Sequence, residues 1–219
     1  MSWLSGVNLV NSLSGLLIVT SLLVIEVRPA RWSAIVYSVQ SLILVSIFVV
    51  LGYIMHAPQL YLWAASAFIT KVILVPWILY RAMSRVGDAN IDKNTMSLSI
   101  ALVLVAVAVA VSFLVIDQIQ LKVAIPFKPA LAISMAHFFF GEICILTQRN
   151  IYKQILGFCL MENGASLTLA LLAYDAPELV EIGIAIDAVF GVIIMVVLAN
   201  QIHRSLNTLD TADLRELKG

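Results

Sequence analysis

Charge is what this sequence has little of: Asp, Glu, Lys and Arg make up 12% of its 219 residues, and their signs cancel to a net +0. A sparse, balanced charge gives no electrostatic footing for nucleic acid, whose binding is dominated by phosphate neutralisation. Cysteine and histidine are scarce as well, with two Cys and three His in the chain. Cys144 and Cys159 lie in apolar runs with no CxxC or Cys/His spacing, which argues against a zinc or iron–sulfur site and leaves them as small packing residues. No glycine-rich phosphate loop is present either. No cofactor or metal is therefore expected in this chain. The N-terminal "MSWLSGVNLV" lacks the basic start and small-residue cleavage site of a secretory signal, so the first hydrophobic run is expected to stay in the membrane.

What is present is apolar side chain: 62% of residues are hydrophobic and mean hydropathy is +1.02. Within a bilayer, backbone groups can only bond one another, so a chain of this kind spans as helices or as a closed barrel. Its long unbroken runs rule out the alternating strands of a barrel. The fold class is all-α, a polytopic transmembrane helix bundle. Taking about 20 residues per crossing, seven spans are expected, at 4–25, 33–55, 59–80, 96–116, 129–147, 152–173 and 179–202. Arg28, Arg31, Arg81, Arg85, Lys93, Arg149, Lys153, Arg204, Arg215 and Lys218 then fall on one side, with Lys122 and Lys128 on the other. Because positive charge collects on the cytoplasmic side, the N-terminus is expected outside and the C-terminal tail inside.

The fourth span, "MSLSIALVLVAVAVAVSFLVI", carries no ionisable side chain and suits a helix turned largely toward lipid. It separates two less uniform blocks, each with an Ala-Pro turn ("HAPQL", "DAPEL") followed by a span with one buried charge. The expected organisation is a three-helix unit at 1–95, a connecting helix and loop at 96–127, and a second three-helix unit with its tail at 128–219. The internal match is otherwise thin, and proline in those turns is also an ordinary helix-start residue.

Four ionisable residues fall inside spans: Lys71, Glu142, Glu162 and Asp187. At helical rise, Lys71 lies about 20 Å past Pro58, Glu162 about 17 Å past the basic loop and Asp187 about 15 Å past Pro177. These three share the middle of a hydrocarbon layer roughly 30 Å thick. Glu142 lies about 10 Å from Arg149, nearer the cytoplasm. A lone charge at that depth costs at least about 2.5–3.5 kcal/mol. Two explanations remain open: the charges neutralise one another as structural pairs, or they change protonation state and pass protons along. Asn163 and Gly164 follow Glu162, offering it a polar neighbour and a place for close helix approach. Gly141 and Gly191, near Glu142 and Asp187, admit close packing or water. His137 shares a span with Glu142 at a spacing of five, a poor same-face match, and reads as a hydrogen-bonded histidine before a relay member. Glu178 and Glu181 read as solvated rim. Arg149 and Lys153 mark the inner interface, with proton entry as their functional alternative.

The stretch "CILTQRNIYKQILGFCLMENGASLTLALLAYDAPELVEIGIAIDAVFGVIIMVVLANQIHRSLNTLDTADLRELKG", together with "QSLILVSIFVV" and "LWAASAFITKVILVP", resembles the component E membrane subunit of hydrogenase-4, also called formate hydrogenlyase-2. The resemblance covers nearly the whole chain. From about residue 130 the chain is also similar to the small three-helix K subunit of respiratory complex I, which carries one proton-transferring glutamate on each of its last two helices. Matching "QRN" to that family's basic turn puts Cys159 at the first glutamate position, with Glu162 one turn later on much the same face. Asp187 stands for the second, with a shorter reach.

The resemblance implies a bacterial cytoplasmic (inner) membrane complex that converts formate to carbon dioxide and hydrogen. Its nickel-iron centre and iron–sulfur clusters would be held by other subunits. Partners would be antiporter-like membrane subunits, a quinone-subunit-like anchor, the hydrogenase peripheral arm and lipid. Glu162 and Asp187 would be central relay carboxylates, Glu142 their cytoplasm-side partner, and Lys71 a tuning charge or relay base. Asn163 and His137 would be supporting polar groups. A scaffold that moves no protons, and a cation/proton antiporter subunit, are the competing expectations.

Overall fold

The computed structural model describes residues 3–86, 98–120 and 125–216. The expected unit boundary at 95/96 and Lys93, Lys122 and Lys218 of the charge sort lie outside them. The described chain is α-helical, with seven helices long and apolar enough to cross a membrane. In chain order these are α1 (Trp3–Glu26), α2 (Ala30–Ile54), a composite third helix, α5 (Leu98–Asp117), α6 (Lys128–Thr147), α7 (Ile151–Leu172) and α8 (Glu178–Leu206). The ends of the apolar helical spans fall within about four residues of the hydropathy expectation.

Local chemistry sets several ends. Pro129 occupies the first turn of α6, where a missing N–H costs nothing. Asn150 caps α7 by accepting the Tyr152 N–H at 2.9 Å. Asn207 closes α8 in the left-handed conformation at φ 53°.

The composite third helix runs as α3 (Gln59–Ala67), a π-helical stretch (Phe68–Leu74) and α4 (Val75–Val86). Pro76 accounts for the wide winding, because its ring lacks an N–H and would press on the carbonyl of Val72 in a regular α-helix. That carbonyl accepts instead from the Ser38 hydroxyl of α2 at 2.6 Å. Val75 N–H bonds five residues back, to Thr70. Lys71 sits inside this stretch.

The helices pack in two tiers. α1, α2 and the composite helix lie over α6, α7 and α8 respectively, and α5 flanks α6 at the edge. The closest pair is α6 with α7. A Cβ on Gly141 would meet the Gly157 carbonyl, and one on Gly164 would come within 2.6 Å of the Phe138 nitrogen. These glycines therefore let two backbones touch, the small-residue packing common in membranes. Gly191 differs: a Cβ there would make ordinary contact with Phe158.

Two apolar clusters form the core. One, toward the Ala-Pro turns, includes Leu17, Leu44, Ala67, Ala132 and Leu167. The other, toward the opposite end, includes Val24, Tyr37, Val75, Ala136 and Leu160. On five of the helices at least one buried polar residue falls between the two clusters: Ser21, Gln40 and Ser41, Lys71, Ser134, and Asn163 with Ser166. The bundle thus has a polar belt across its middle, with apolar packing above and below.

Candidate functional site

The belt has a charged end and a neutral end. At the charged end, the π-helical stretch brings Lys71 between α7 and α8, where it is 1% exposed. Its Nζ lies 2.7 Å from Glu162 Oε1 and 3.8 Å from Glu181 Oε1. It also donates to Ser166 Oγ at 2.7 Å, while Ser166 donates to Glu162 Oε1 at 3.2 Å. Glu162 retains slight exposure, 11% of its side chain. Glu181 has none, and neither of its oxygens makes a hydrogen bond among the described residues. Ser166 and Lys71 are polar neighbours of Glu181.

One cation thus faces two carboxylates. The arrangement carries one negative charge too many for a dry interior, where unpaired charge is costly. One proton on either carboxyl restores neutrality. Chemically, the triad can hold a proton on either glutamate and stabilise the other as an ion pair.

Glu181 corrects the rim reading. Counting residues from Pro177 measures the height of a Cα along its helix, whereas long Lys and Glu side chains meet well away from their own Cα atoms. Gly183 and Asp187 face out of the bundle, while Glu181, Ala185 and Ala188 face in. Glu181, Ala185 and Ala188 share the buried face at steps of four and three, but Ile182, Ile184 and Ile186 surround it, so no apolar contrast in the sequence marks that face.

At the neutral end, His137 is fully buried and bonded through both ring nitrogens. Nδ1 lies 2.7 Å from Ser21 Oγ and Nε2 lies 2.9 Å from Gln40 Nε2. Gln40 Oε1 accepts from Asn163 Nδ2 at 2.9 Å, so its amide nitrogen faces the imidazole. His137 Nε2 is therefore an acceptor and Nδ1 carries the proton, donated to Ser21, whose hydroxyl in turn bonds the Leu17 carbonyl. Asn163 also donates to Ser41 at 3.1 Å. Tyr37, fully buried, reaches Ser41, Asn163 and Cys159 beside Glu162. This chain ties α1, α2, α6 and α7 together next to the triad. Gln40→Leu should strip His137 Nε2 of its donor and cost about 1–3 kcal/mol, read as earlier thermal loss of the subunit from detergent-solubilised membranes.

Among the four ionisable residues expected in spans, the structure joins Lys71 to Glu162 and leaves the other two apart. Glu142 is half-buried in a hollow of about 230 Å³ between α5 and α6, lined by Leu104, Val107, Val111 and Ile143. Asp187 is exposed on the outer face of α8. Among the described residues no cluster of three or more His, Cys, Asp or Glu is placed to hold a metal. Cys144 and Cys159 are buried free thiols.

Arg149 and Lys153 are committed locally. Arg149 Nε donates to Asp210 Oδ1 at 2.7 Å, and a second guanidinium nitrogen pairs with Oδ2. Backbone bonds from Ile151 to Leu209 and from Thr211 to Arg149 pin the tail across this turn. Lys153 Nζ donates to the Ile25 carbonyl in the last turn of α1 at 2.7 Å and to that of Val27 just beyond it.

Residues 129–219 match the family model described as NADH-ubiquinone/plastoquinone oxidoreductase chain 4L. The chain is 49% identical to hydrogenase-4 component E of Escherichia coli, over 99% of this chain and 100% of that one. The Shigella flexneri protein of the same description gives the same figures. An uncharacterized protein of Mycobacterium tuberculosis is 24% identical over 68% of each chain. No solved structure matches.

Proposed function

Since this multi-pass membrane chain belongs to the hydrogenase-4 component E family, we propose that it is a membrane subunit of such a complex and moves protons between Glu162 and Glu181 across Lys71. The observation that carries this reading is Glu181, a wholly buried carboxylate with no hydrogen bond among the described residues, 3.8 Å from a lysine already paired elsewhere. A static ion pair needs only Glu162. The second carboxylate supplies an alternative place for both the negative charge and the proton.

The step is simple. With Glu181 protonated, Lys71 pairs with Glu162. As the Glu181 carboxyl closes on the neighbouring Ser166 hydroxyl, that hydroxyl accepts the Glu181 proton and releases its own to Glu162, and Lys71 Nζ shifts toward Glu181. The π-helical winding at Lys71 supports this, because such bulges concentrate at functional positions in helices. Glu142 and Asp187, on opposite flanks, are points of exchange with neighbouring subunits. His137 and Asn163 hold the helices around the triad.

The basic ends of the helices face the cytoplasm in this reading, within a bacterial inner membrane. The nickel-iron centre and iron–sulfur clusters sit in partner subunits, and this chain joins antiporter-like subunits and a quinone-subunit-like anchor beneath the peripheral arm. The test is Glu162→Gln in vesicles carrying the assembled complex. Formate-driven proton movement should fall by about a hundredfold, as for loss of a positioned acid–base group, while the complex stays assembled. Unchanged movement in an intact complex overturns the proposal.

A further inference from the structure

Asp187 belongs neither to the triad nor to the neutral chain. Along α8, Glu181, Ala185, Ala188, Val192, Val196 and Ala199 are buried against the bundle. The opposite face exposes Gly183, Asp187, Phe190, Ile194 and Val197 in alternating steps of four and three, the spacing of a helix–helix seam. Asp187 lies about 12 Å into the helix from Leu179, deep within the hydrocarbon layer. A Cβ on Gly183 would meet nothing within 4 Å, so one turn from the carboxylate no part of the bundle covers this face.

Lipid tails cannot solvate a carboxylate, and this one has no ion pair among the described residues. Charge complementarity therefore identifies what covers it. We infer that the Asp187 face of α8 docks a transmembrane helix of another subunit, one that presents Lys or Arg at mid-membrane against Asp187. A second copy of this chain does not fit, because Lys71, its mid-span cation among the described residues, is 1% exposed and bound to Glu162. The inference rests on membership of a multisubunit membrane arm and does not require proton transfer at Lys71.

The test uses the whole complex with p-benzoylphenylalanine at position 190, where Phe190 is 60% exposed. Photocross-linking should join this chain to another membrane subunit of the same complex, at a span with Lys or Arg within one turn of the linked residue. Asp187→Lys should lower co-purification of that subunit by about tenfold or more, since like charges then face each other. Changing the mapped basic residue to Asp in the same background should restore it. Cross-links only to lipid, to a copy of this chain or to a span without a basic residue overturn the inference, as does normal co-purification of Asp187→Lys. Glu162→Gln should leave the cross-link in place, so a failure here is separable from a failure of the proton-transfer reading.

Discussion

Lys71→Met should destabilise the subunit more than any other neutralising change in the belt, by about 3–5 kcal/mol, the cost of removing one partner from a buried ion pair. Lys71 is the lone cation facing both Glu162 and Glu181 among the described residues, and without it both carboxyls must take up a proton or stay charged in a dry interior. The fraction of this subunit retained in the solubilised complex across a temperature ramp measures the loss. Combining Lys71→Met with Glu162→Gln and Glu181→Gln should recover most of it, because a triad with no charges needs no neutralisation. That triple variant should still conduct no protons. A Lys71→Met protein as stable as wild type would mean that the lysine is not holding the carboxylates.

Glu162→Gln and Glu181→Gln are expected to behave alike, and differently from Lys71→Met. Either change leaves one lysine and one carboxylate, a neutral pair, so each variant should fold and assemble. Either change also removes one of the two proton positions. Formate-driven proton movement should drop by about a hundredfold in both, although only Glu162 stands out in the sequence as a mid-span charge. Loss of movement in Glu162→Gln with full movement in Glu181→Gln would leave Glu181 with no part in the transfer. Loss of assembly in both, with movement per assembled complex unchanged, would favour a scaffold.

The helices and two members of the triad are legible in the sequence. Long apolar runs set the helices, since hydropathy acts over a whole crossing and end effects matter little. Lys71 and Glu162 stand out as charges in the middle of such runs. Rotation about the helix axis is not legible, because the spans are apolar nearly all round and give little amphipathic contrast. Depth alone therefore groups Asp187 with Glu162 although it faces outward, and puts Glu181, six residues earlier on α8, at the rim although it faces inward. Gln40 and Ser41 in "YSVQSLILV" signal a buried polar site, but their partners lie on other helices far away in sequence. The pairing of Arg149 with Asp210 is similarly remote, joining a turn to the tail. Pro76, five residues after Lys71, is the local hint of the π-helical winding; its consequence depends on Ser38 of α2 donating to the Val72 carbonyl.

One mobile proton shared by Glu162 and Glu181 should be directly visible in infrared spectra of the assembled complex. Wild type is expected to show a protonated-carboxyl stretch that changes during turnover. Glu162→Gln and Glu181→Gln should each remove it, because the remaining carboxylate is then ionised beside Lys71. A spectrum without that band, or with a band that neither substitution alters, would contradict proton exchange across Lys71.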